Sequence, residues 1–155
     1  MNPFRLSPAR AVYQNVSVET SVANASPHQL IVLLFDGAIQ AIGDARLSME
    51  RRDVRAKGMA IGKATRILGE GLVPALDMER GGAISLNLRN LYEYMMRRLV
   101  EANLHNRKEY LEEVLSLLNE LRSAWAQIAP RQAPAAPAIQ PAQNYERRAV
   151  SYGAA

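Results

Sequence analysis

Apolar residues recur at intervals of three and four along residues 26–128, which is the spacing of one face of an α-helix. Four such patterns occur, with short polar stretches between them, and no strand-like alternation of useful length is present. The predicted helices begin at Ser26, after Asp53, near Ala83 and at Asn106. Their apolar faces are, in chain order, Ile31, Leu34, Phe35, Ala38, Ile42, Ala45 and Met49; Val54, Ile61, Ala64, Leu68, Leu72 and Ala75; Ile84, Leu88, Leu91, Tyr92, Met95, Leu99 and Ala102; and Leu111, Val114, Leu115, Leu118, Leu121, Trp125 and Ile128.

Polar residues and a proline support these helix ends. Ser26 with Gln29 three residues later is typical of a capping box, in which each residue bonds the other's backbone N–H. Asn106 with Glu109 predicts a second capping box, at the start of the fourth helix. Pro74 predicts that the second helix ends or kinks just before it, because the proline ring clashes with the preceding turn. Four glycines lower the intrinsic helicity of the second helix, so its stability must come mostly from packing: Gly58, Gly62, Gly69 and Gly71.

Short connections predict how the helices are arranged. The loops at residues 51–53 and 105–106 make consecutive helices antiparallel, which favours an all-α, up-and-down four-helix bundle over residues 26–128. Residues 1–25 form a polar N-terminal segment, and residues 129–155 form a tail rich in Pro, Ala and Gln. Neither composition builds a hydrophobic core, and we expect both segments to be flexible.

Composition and charge exclude several classes of protein. The chain has no cysteine, which excludes disulfides and thiolate metal sites. It lacks the apolar core of a signal peptide and any apolar run long enough to span a bilayer, so we expect a cytoplasmic protein without membrane insertion. Of the net charge of +4, residues 1–25 carry +1 and residues 129–155 carry +2, which leaves +1 for the predicted bundle. The basic pI is therefore weak support for nucleic-acid binding, which normally concentrates cations on one folded face.

The chain offers no recognisable catalytic or metal-binding constellation. Its two histidines, His28 and His105, stand near helix ends, where a polar first-turn residue and a charge complementing the helix dipole are the simpler interpretations. A di-metal bundle needs paired Glu-x-x-His motifs, but Glu101 is followed three residues later by Leu104. Asp36 lies near the apolar face and fits a cap or an ion pair. We therefore predict no enzyme activity, no cofactor and no metal site.

Three of the helices carry more apolar residues than one core-facing stripe requires. Two interpretations remain open: wide core stripes and scattered surface hydrophobic residues are common in bundles, and a groove for an amphipathic segment of a partner would need the same excess. Methionines suit the second interpretation, because their flexible side chains repack around different shapes. The surplus positions are Leu33 and Leu47 in the first helix; Met59, Ile67 and Val73 in the second; and Leu86, Tyr94, Met96, Val100 and Leu104 in the third.

Several segments, in order, resemble the FliS family of flagellar secretion chaperones. Residues 25–39 read ASPHQLIVLLFDGAI and are similar to the opening of that family's first helix. Residues 76–106 read LDMERGGAISLNLRNLYEYMMRRLVEANLHN and resemble its third-helix signature. Residues 117–125 read LLNELRSAW and look like the end of its fourth helix, and Tyr13-Gln14 is similar to a pair in its N-terminal segment. The resemblance extends over about residues 11–128.

The resemblance implies a function that helical periodicity alone does not supply. It implies a cytoplasmic bundle that binds the disordered C-terminal segment of flagellin, prevents premature polymerisation and aids delivery to the flagellar type III export gate. It also implies that the N-terminal segment can cover the same groove before flagellin arrives. Tyr13 is the best candidate for such a lid, because an aromatic ring with a polar tip suits a partly hydrated groove. The alternative interpretation is that Tyr13 simply anchors the N-terminal segment by packing.

The sequence leaves an alternative function open. This alternative is a regulatory nucleic-acid-binding protein, which the pI and the Arg97-Arg98 pair suggest. The dependence of affinity on salt would distinguish the two, because phosphate contacts make affinity fall steeply with ionic strength and an apolar groove does not.

The predicted partner-binding surface lies on the second and third helices, together with Tyr13 of the N-terminal segment. The predicted partner-binding residues are Tyr13, Ile61, Ile67, Leu68, Leu91, Tyr94, Met95 and Arg98.

Overall fold

Four helices pack as an antiparallel bundle in the structure, a computed structural model that describes residues 23–128. No strand occurs within these residues, and the predicted all-α four-helix bundle is confirmed. The Tyr13 lid and the tail at 129–155 lie outside the described range. The helices are α1 (Pro27–Glu50), α2 (Val54–Arg66) with a π-helical continuation (Ile67–Leu72), α3 (Gly82–His105) and α4 (Lys108–Gln127).

Two of the predicted helix starts have the expected caps. The backbone N–H of Gln29 donates to Ser26 Oγ at 3.1 Å, and the backbone N–H of Ser26 donates to Gln29 Oε1 at 2.9 Å, which completes the capping box. At the start of α2, the backbone N–H of Ala56 donates to Asp53 Oδ1 at 3.1 Å. Both caps satisfy N–H groups that have no partner within the helix.

The second predicted capping box is wrong. Asn106 has φ 53° and ψ 47° and ends α3 in the left-handed conformation, and α4 begins two residues later at Lys108. Asparagine is one of the few residues that adopt this conformation readily at a helix C-terminus. Its side-chain oxygen accepts a hydrogen bond from Lys57 Nζ, while Glu109 pairs with Arg107. A polar residue between two helices can cap either one, and spacing alone did not distinguish these outcomes.

The second helix widens before it ends. The backbone N–H of Val73 donates to the carbonyl of Leu68, five residues back, at 2.9 Å, and the continuation ends at Leu72, close to the end predicted from Pro74. A Cβ at Gly71 would lie 2.9 Å from Leu34 Cδ2, so the glycine allows α1 to approach this turn closely.

The core combines one apolar stripe from each helix, as predicted, with two exceptions. Val54 and Ile84 are 72% and 59% exposed, although both fall on predicted core faces. Each lies in the first turn of its helix, where the helical period continues but none of the other described helices covers the side chain. The buried apolar residues are Ile31, Phe35, Ala38, Ala41, Ile42, Ala45, Ile61, Ala64, Leu68, Leu72, Tyr92, Met95, Leu99, Ala102, Leu111, Val114, Leu118 and Trp125.

The turn before α3 is held by hydrogen bonds around Asp77. The backbone N–H of Arg80 donates to Asp77 Oδ1 at 2.9 Å, and the buried Ser85 Oγ donates to the Asp77 carbonyl at 2.8 Å. A Cβ at Gly81 would overlap Ser85 Oγ, and Gly82 has φ +51°, so both glycines are needed for this backbone path.

The start of α1 is fastened to the end of α4. His28 stacks on Trp125 with ring centroids 5.1 Å apart, and its Nε2 lies 2.7 Å from the Trp125 carbonyl. Trp125 Nε1 donates to the His28 carbonyl at 3.1 Å. His28 is therefore buried. The interpretation of this histidine as a polar first-turn residue did not predict that. Asp36 forms an ion pair with Arg122 at 2.6 Å between the same helices, in line with its predicted pairing.

Candidate partner-binding surface

The predicted binding residues divide into a buried set and a half-buried set. Ile61, Leu68 and Met95 lie in the core, so the bundle as it stands does not present them to a partner. Four others are half-buried: Ile67, Leu91, Tyr94 and Arg98. Tyr13 lies outside the described residues. The predicted set therefore does not form one continuous surface, because a helical wheel cannot show which flank of a stripe a neighbouring helix covers.

The half-buried residues also face different neighbours. Ile67 points toward α1, because its Cδ1 would lie 3.3 Å from a Cβ at Gly37. Tyr94 and Arg98 instead face α4. Tyr94 Oη donates to Glu113 Oε2 at 2.7 Å, and Arg98 Nε donates to Glu113 Oε1 at 2.8 Å.

The Tyr94–Arg98–Glu113 group forms an electrostatic clamp between α3 and α4. The guanidinium of Arg98 also lies 4.0 Å from the centre of the Tyr110 ring, within the range of a cation–π interaction. Hydrogen bonds from Tyr94 and Arg98 hold the pKa of Glu113 below its usual value, and the bond to Glu113 raises the pKa of Arg98. These polar groups satisfy one another, which indicates a structural contact between the helices.

A second flank of α3 faces α2 and carries exposed apolar side chains. Met96, Val100 and Leu104 are spaced by four residues and therefore lie on one side of α3. Met96 is half-buried, and Val100 and Leu104 are 56% and 72% exposed. The Met96 end of this stripe contacts the second helix, because a Cβ at Gly69 would lie 3.3 Å from Met96 Sδ.

Glycines form the opposite wall. Gly58 and Gly62 fall on the same side of α2 as Gly69, and a Cβ at either position would meet nothing within 4 Å. At the far end, Lys57 Nζ donates to the Asn103 carbonyl at 3.0 Å and joins the helices. We call the space between the two stripes the α2–α3 cleft; its residues are Gly58, Gly62 and Gly69 with Met96, Val100 and Leu104.

The cleft leads toward an apolar cavity at one end of the bundle. Leu72 follows Gly69 within the π-helical continuation, and Tyr92 precedes Met96 by one turn of α3, so the cavity lies beyond the Met96 end of the cleft. Both line a cavity of about 160 Å³, and burial raises the pKa of Tyr92 to about 12. The other lining residues are Ile31, Phe35, Ala75, Leu76, Leu88, Leu121, Ala124, Trp125 and Ile128.

The sequence already contained the signals for this surface. Met96, Val100 and Leu104 were surplus positions on the wheel, and the glycines were noted as poor helix formers. What sequence reasoning missed was that the two stripes face each other. The alignment of the two stripes depends on how α2 and α3 are shifted along each other. The Lys57–Asn103 hydrogen bond and the close approach of Gly69 and Met96 define this register.

The described residues offer little for chemistry other than binding. Within residues 23–128 no three His, Asp or Glu side chains are grouped as metal ligands would be. No helix in this part of the chain combines the length and hydropathy that crossing a membrane requires. Exposed apolar side chains beside an apolar cavity are a common feature of surfaces that bind apolar or amphipathic segments.

Comparison with known proteins identifies the family. The model of the FliS family, flagellar protein FliS, matches residues 9–132. The flagellar secretion chaperone FliS of Salmonella typhimurium is 53% identical over 119 residues, which cover 77% of this chain and 88% of the relative. FliSB of Pseudomonas aeruginosa is 51% identical over 73% of this chain and 89% of its own length, and FliS of Bacillus subtilis is 32% identical over 70% and 80%.

These matches define a four-helix flagellar chaperone. The chain belongs to the FliS family, which confirms the resemblance found in its helix-opening and third-helix segments.

Proposed function

We propose that this chain is a cytoplasmic export chaperone that binds the disordered C-terminal segment of flagellin, prevents its premature polymerisation and aids its delivery to the flagellar type III export apparatus. Membership of the FliS family supports the chaperone role. The observation that carries the binding proposal is the α2–α3 cleft, where Val100 and Leu104 are exposed opposite two glycines that the described bundle does not cover.

The geometry of the cleft suits an amphipathic helix. An incoming helix would place apolar anchors at i, i+3, i+4 and i+7 against Met96, Val100 and Leu104. Gly58 and Gly62 leave room for its backbone to come close to α2, as small residues do at other tight helix contacts. The end cavity would accept one bulky apolar side chain at the end of the cleft.

The expected energies are compatible with binding. Ordering a disordered segment costs about 2–5 kcal/mol. Complete burial of one Val, Leu or Met side chain contributes about 1.5–3 kcal/mol. Two or three anchors along the cleft would therefore offset the ordering cost, and contacts in the end cavity would add to the affinity.

The N-terminal segment would act as a lid over the same surface. In this proposal Tyr13 occupies part of the cleft or cavity until flagellin displaces it, because an aromatic ring with a polar tip suits a partly hydrated groove. The half-buried Ile67, Leu91, Tyr94 and Arg98 would lie at the edges of the bound segment, whereas Ile61, Leu68 and Met95 would support it from the core.

Calorimetry with a peptide from the flagellin C-terminus tests the proposal. Binding should be tight, with a negative heat-capacity change from burial of apolar surface. The double variant Val100→Asp/Leu104→Asp should lose at least tenfold in affinity, because it places two charges in the cleft. The matched control is Leu33→Asp/Leu47→Asp, which places the same two charges on exposed leucines of α1. Equal affinity of the cleft variant and the control would refute the cleft as the site, and flat heats with the unmodified chain would refute flagellin binding.

A further inference from the structure

The outward face of α2 carries a stripe of cations around one exposed methionine. Arg55, Met59, Lys63 and Arg66 stand at i, i+4, i+8 and i+11, which places them on one side of the helix. All four are exposed, and Met59 is 67% exposed. Among the described residues none of the three cations forms an ion pair.

The positive charge of this face is not neutralised along its own helix. No acidic residue occurs between Asp53, which caps α2, and Glu70 in the π-helical continuation. Glutamates elsewhere in the described bundle largely have partners. On α4 the pairs are Glu109–Arg107, Glu112–Lys108 and Glu113–Arg98. The bundle is nearly neutral in total, yet this face of α2 carries three cations without a carboxylate partner among the described residues.

The charge pattern selects among possible occupants of this face. The chain's own N-terminal segment and tail carry +1 and +2, so the cations of α2 would repel both. A second copy would have to offer an acidic face, but three of the glutamates of α4 are already paired within the chain. Nucleic acid would satisfy the cations but would leave Met59 against a phosphate backbone. A partner with both carboxylates and an apolar side chain satisfies all four residues.

We propose that the outward face of α2 docks an acidic amphipathic helix of a second partner protein. In that complex the helix places an apolar side chain on Met59 and carboxylates against Arg55, Lys63 and Arg66. This surface borders the α2–α3 cleft, because Gly62 lies one helical turn before Arg66, whereas Lys63 lies on the side of the stripe away from the glycines. A chaperone with its cleft occupied would still present Met59 and Lys63. A small apolar contact bordered by complementary charge provides specificity and faster association.

The test uses the full chain and a defined probe. The probe is a labelled synthetic helix with the repeat Glu-x-x-x-Leu-x-x-x-Glu-x-x-Glu, which mirrors the stripe. Its matched control peptide has glutamine in place of each glutamate. Fluorescence anisotropy should show binding of the acidic peptide and at least tenfold weaker binding of the glutamine peptide. In an amide chemical-shift map, the perturbed residues should lie on α2 between Arg55 and Arg66.

Variants locate the contact on the protein. Lys63→Glu/Arg66→Glu should lower the affinity for the acidic peptide at least tenfold, and Met59→Ala should lower it about threefold to fivefold, because truncating an apolar anchor removes buried area. The matched control, Arg147→Glu/Arg148→Glu, changes the net charge by the same amount but places the change in the tail. If this control loses as much affinity as the α2 variant, the interaction is only a response to net charge and the proposal is wrong.

Two further measurements separate the alternatives. A single-stranded oligonucleotide of about 20 nucleotides is titrated in parallel, because such ligands follow basic grooves. Binding of the oligonucleotide but not of the peptide would overturn the proposal in favour of nucleic acid. The single variant Lys63→Glu, on the side of the stripe away from the glycines, should keep its affinity for the flagellin peptide but bind the acidic peptide more weakly, so that failure of this proposal and failure of the proposed function give different results. Lys63→Gln/Arg66→Gln serves as the second variant if the charge reversal impairs folding.

Discussion

Individual glycines in this chain have opposite structural roles. Gly81 is required by its surroundings, because a Cβ would overlap Ser85 Oγ and lie 2.7 Å from the Asp77 carbonyl. Gly62 has no such reason, since a Cβ there would meet nothing within 4 Å. An interior helical glycine lowers stability by about 1 kcal/mol relative to alanine. Gly62 weakens its helix without improving packing within the bundle, so a contact with a partner outside the bundle explains it better.

Alanine substitutions at these two glycines should therefore differ in sign. Gly62→Ala should raise the free energy of unfolding by about 0.5–1 kcal/mol, while the added methyl group narrows the cleft and weakens flagellin-peptide binding severalfold. Gly81→Ala should lower stability by about 1–3 kcal/mol through steric overlap. Urea unfolding and calorimetry on both variants check this. Unchanged peptide affinity in a stabilised Gly62→Ala protein would mean that the bound segment does not approach α2 at this point.

At the level of helices, α3 is joined to its two neighbours in different ways. Toward α4 it uses the clamp of Tyr94 and Arg98 with Glu113, a polar contact in which each group has a partner. Toward α2 it has the Lys57–Asn103 hydrogen bond at one end and the Met96 contact further along, and between them a Cβ at Gly62 would meet nothing within 4 Å. A partner helix would more easily approach this interface, because it could lie over Gly62 and leave the Lys57 hydrogen bonds in place.

The clamp predicts a pH dependence of stability. Hydrogen bonds from Tyr94 and Arg98 lower the folded-state pKa of Glu113, so its stabilising effect is present above the unfolded pKa, about 4.3, and is lost as pH falls through the folded pKa. Glu113→Gln should therefore be less stable than the unmodified protein near pH 7, and the difference should shrink below about pH 4. The control is Glu120→Gln, an exposed residue of α4 without an ion pair in the described bundle. If the difference in stability between Glu113→Gln and the unmodified protein stays constant with pH, the charge of Glu113 does not contribute to stability.

Sequence reasoning succeeded where the determinants are local. The caps at Ser26 and Asp53, the end of the second helix near Pro74 and the core stripes all depend on residues a few positions apart. It failed where an outcome depends on a distant neighbour. The His28–Trp125 stack joins residues 97 positions apart, and the exposure of Ile84 depends on the absence of a facing helix.

The candidate site shows the same division. The sequence predicted a binding surface on the second and third helices, and the candidate cleft lies between the same two helices. The exposure of individual residues could not be predicted, because a wheel gives the centre of an apolar stripe but not which flank is open. Ile61 and Met95 are at the centre of their stripes and are buried, whereas Val100 and Leu104 lie on the flank.

For the whole molecule, the two proposed surfaces would divide binding between apolar and charged contacts. The α2–α3 cleft depends on burial of apolar area and should be nearly indifferent to salt. The outward face of α2 depends on cations and should weaken steeply as ionic strength rises. A chaperone with both surfaces could hold an apolar segment while a second, acidic partner binds beside it. Binding of the flagellin peptide should therefore change little between low and physiological salt, whereas binding of the acidic helix should fall.

Deletion of the N-terminal segment tests whether it acts as a lid over the cleft. If the N-terminal segment covers the cleft for part of the time, only the uncovered fraction binds, and the apparent dissociation constant rises in inverse proportion to that fraction. Deleting residues 1–20 should then leave the affinity for the flagellin peptide equal or higher, and Tyr13→Ala should act in the same direction. Removing residues 129–155 controls for shortening the chain and should have no effect. A large loss of affinity on N-terminal deletion, with unchanged thermal stability, would instead mean that this segment contacts flagellin directly and forms part of the binding surface.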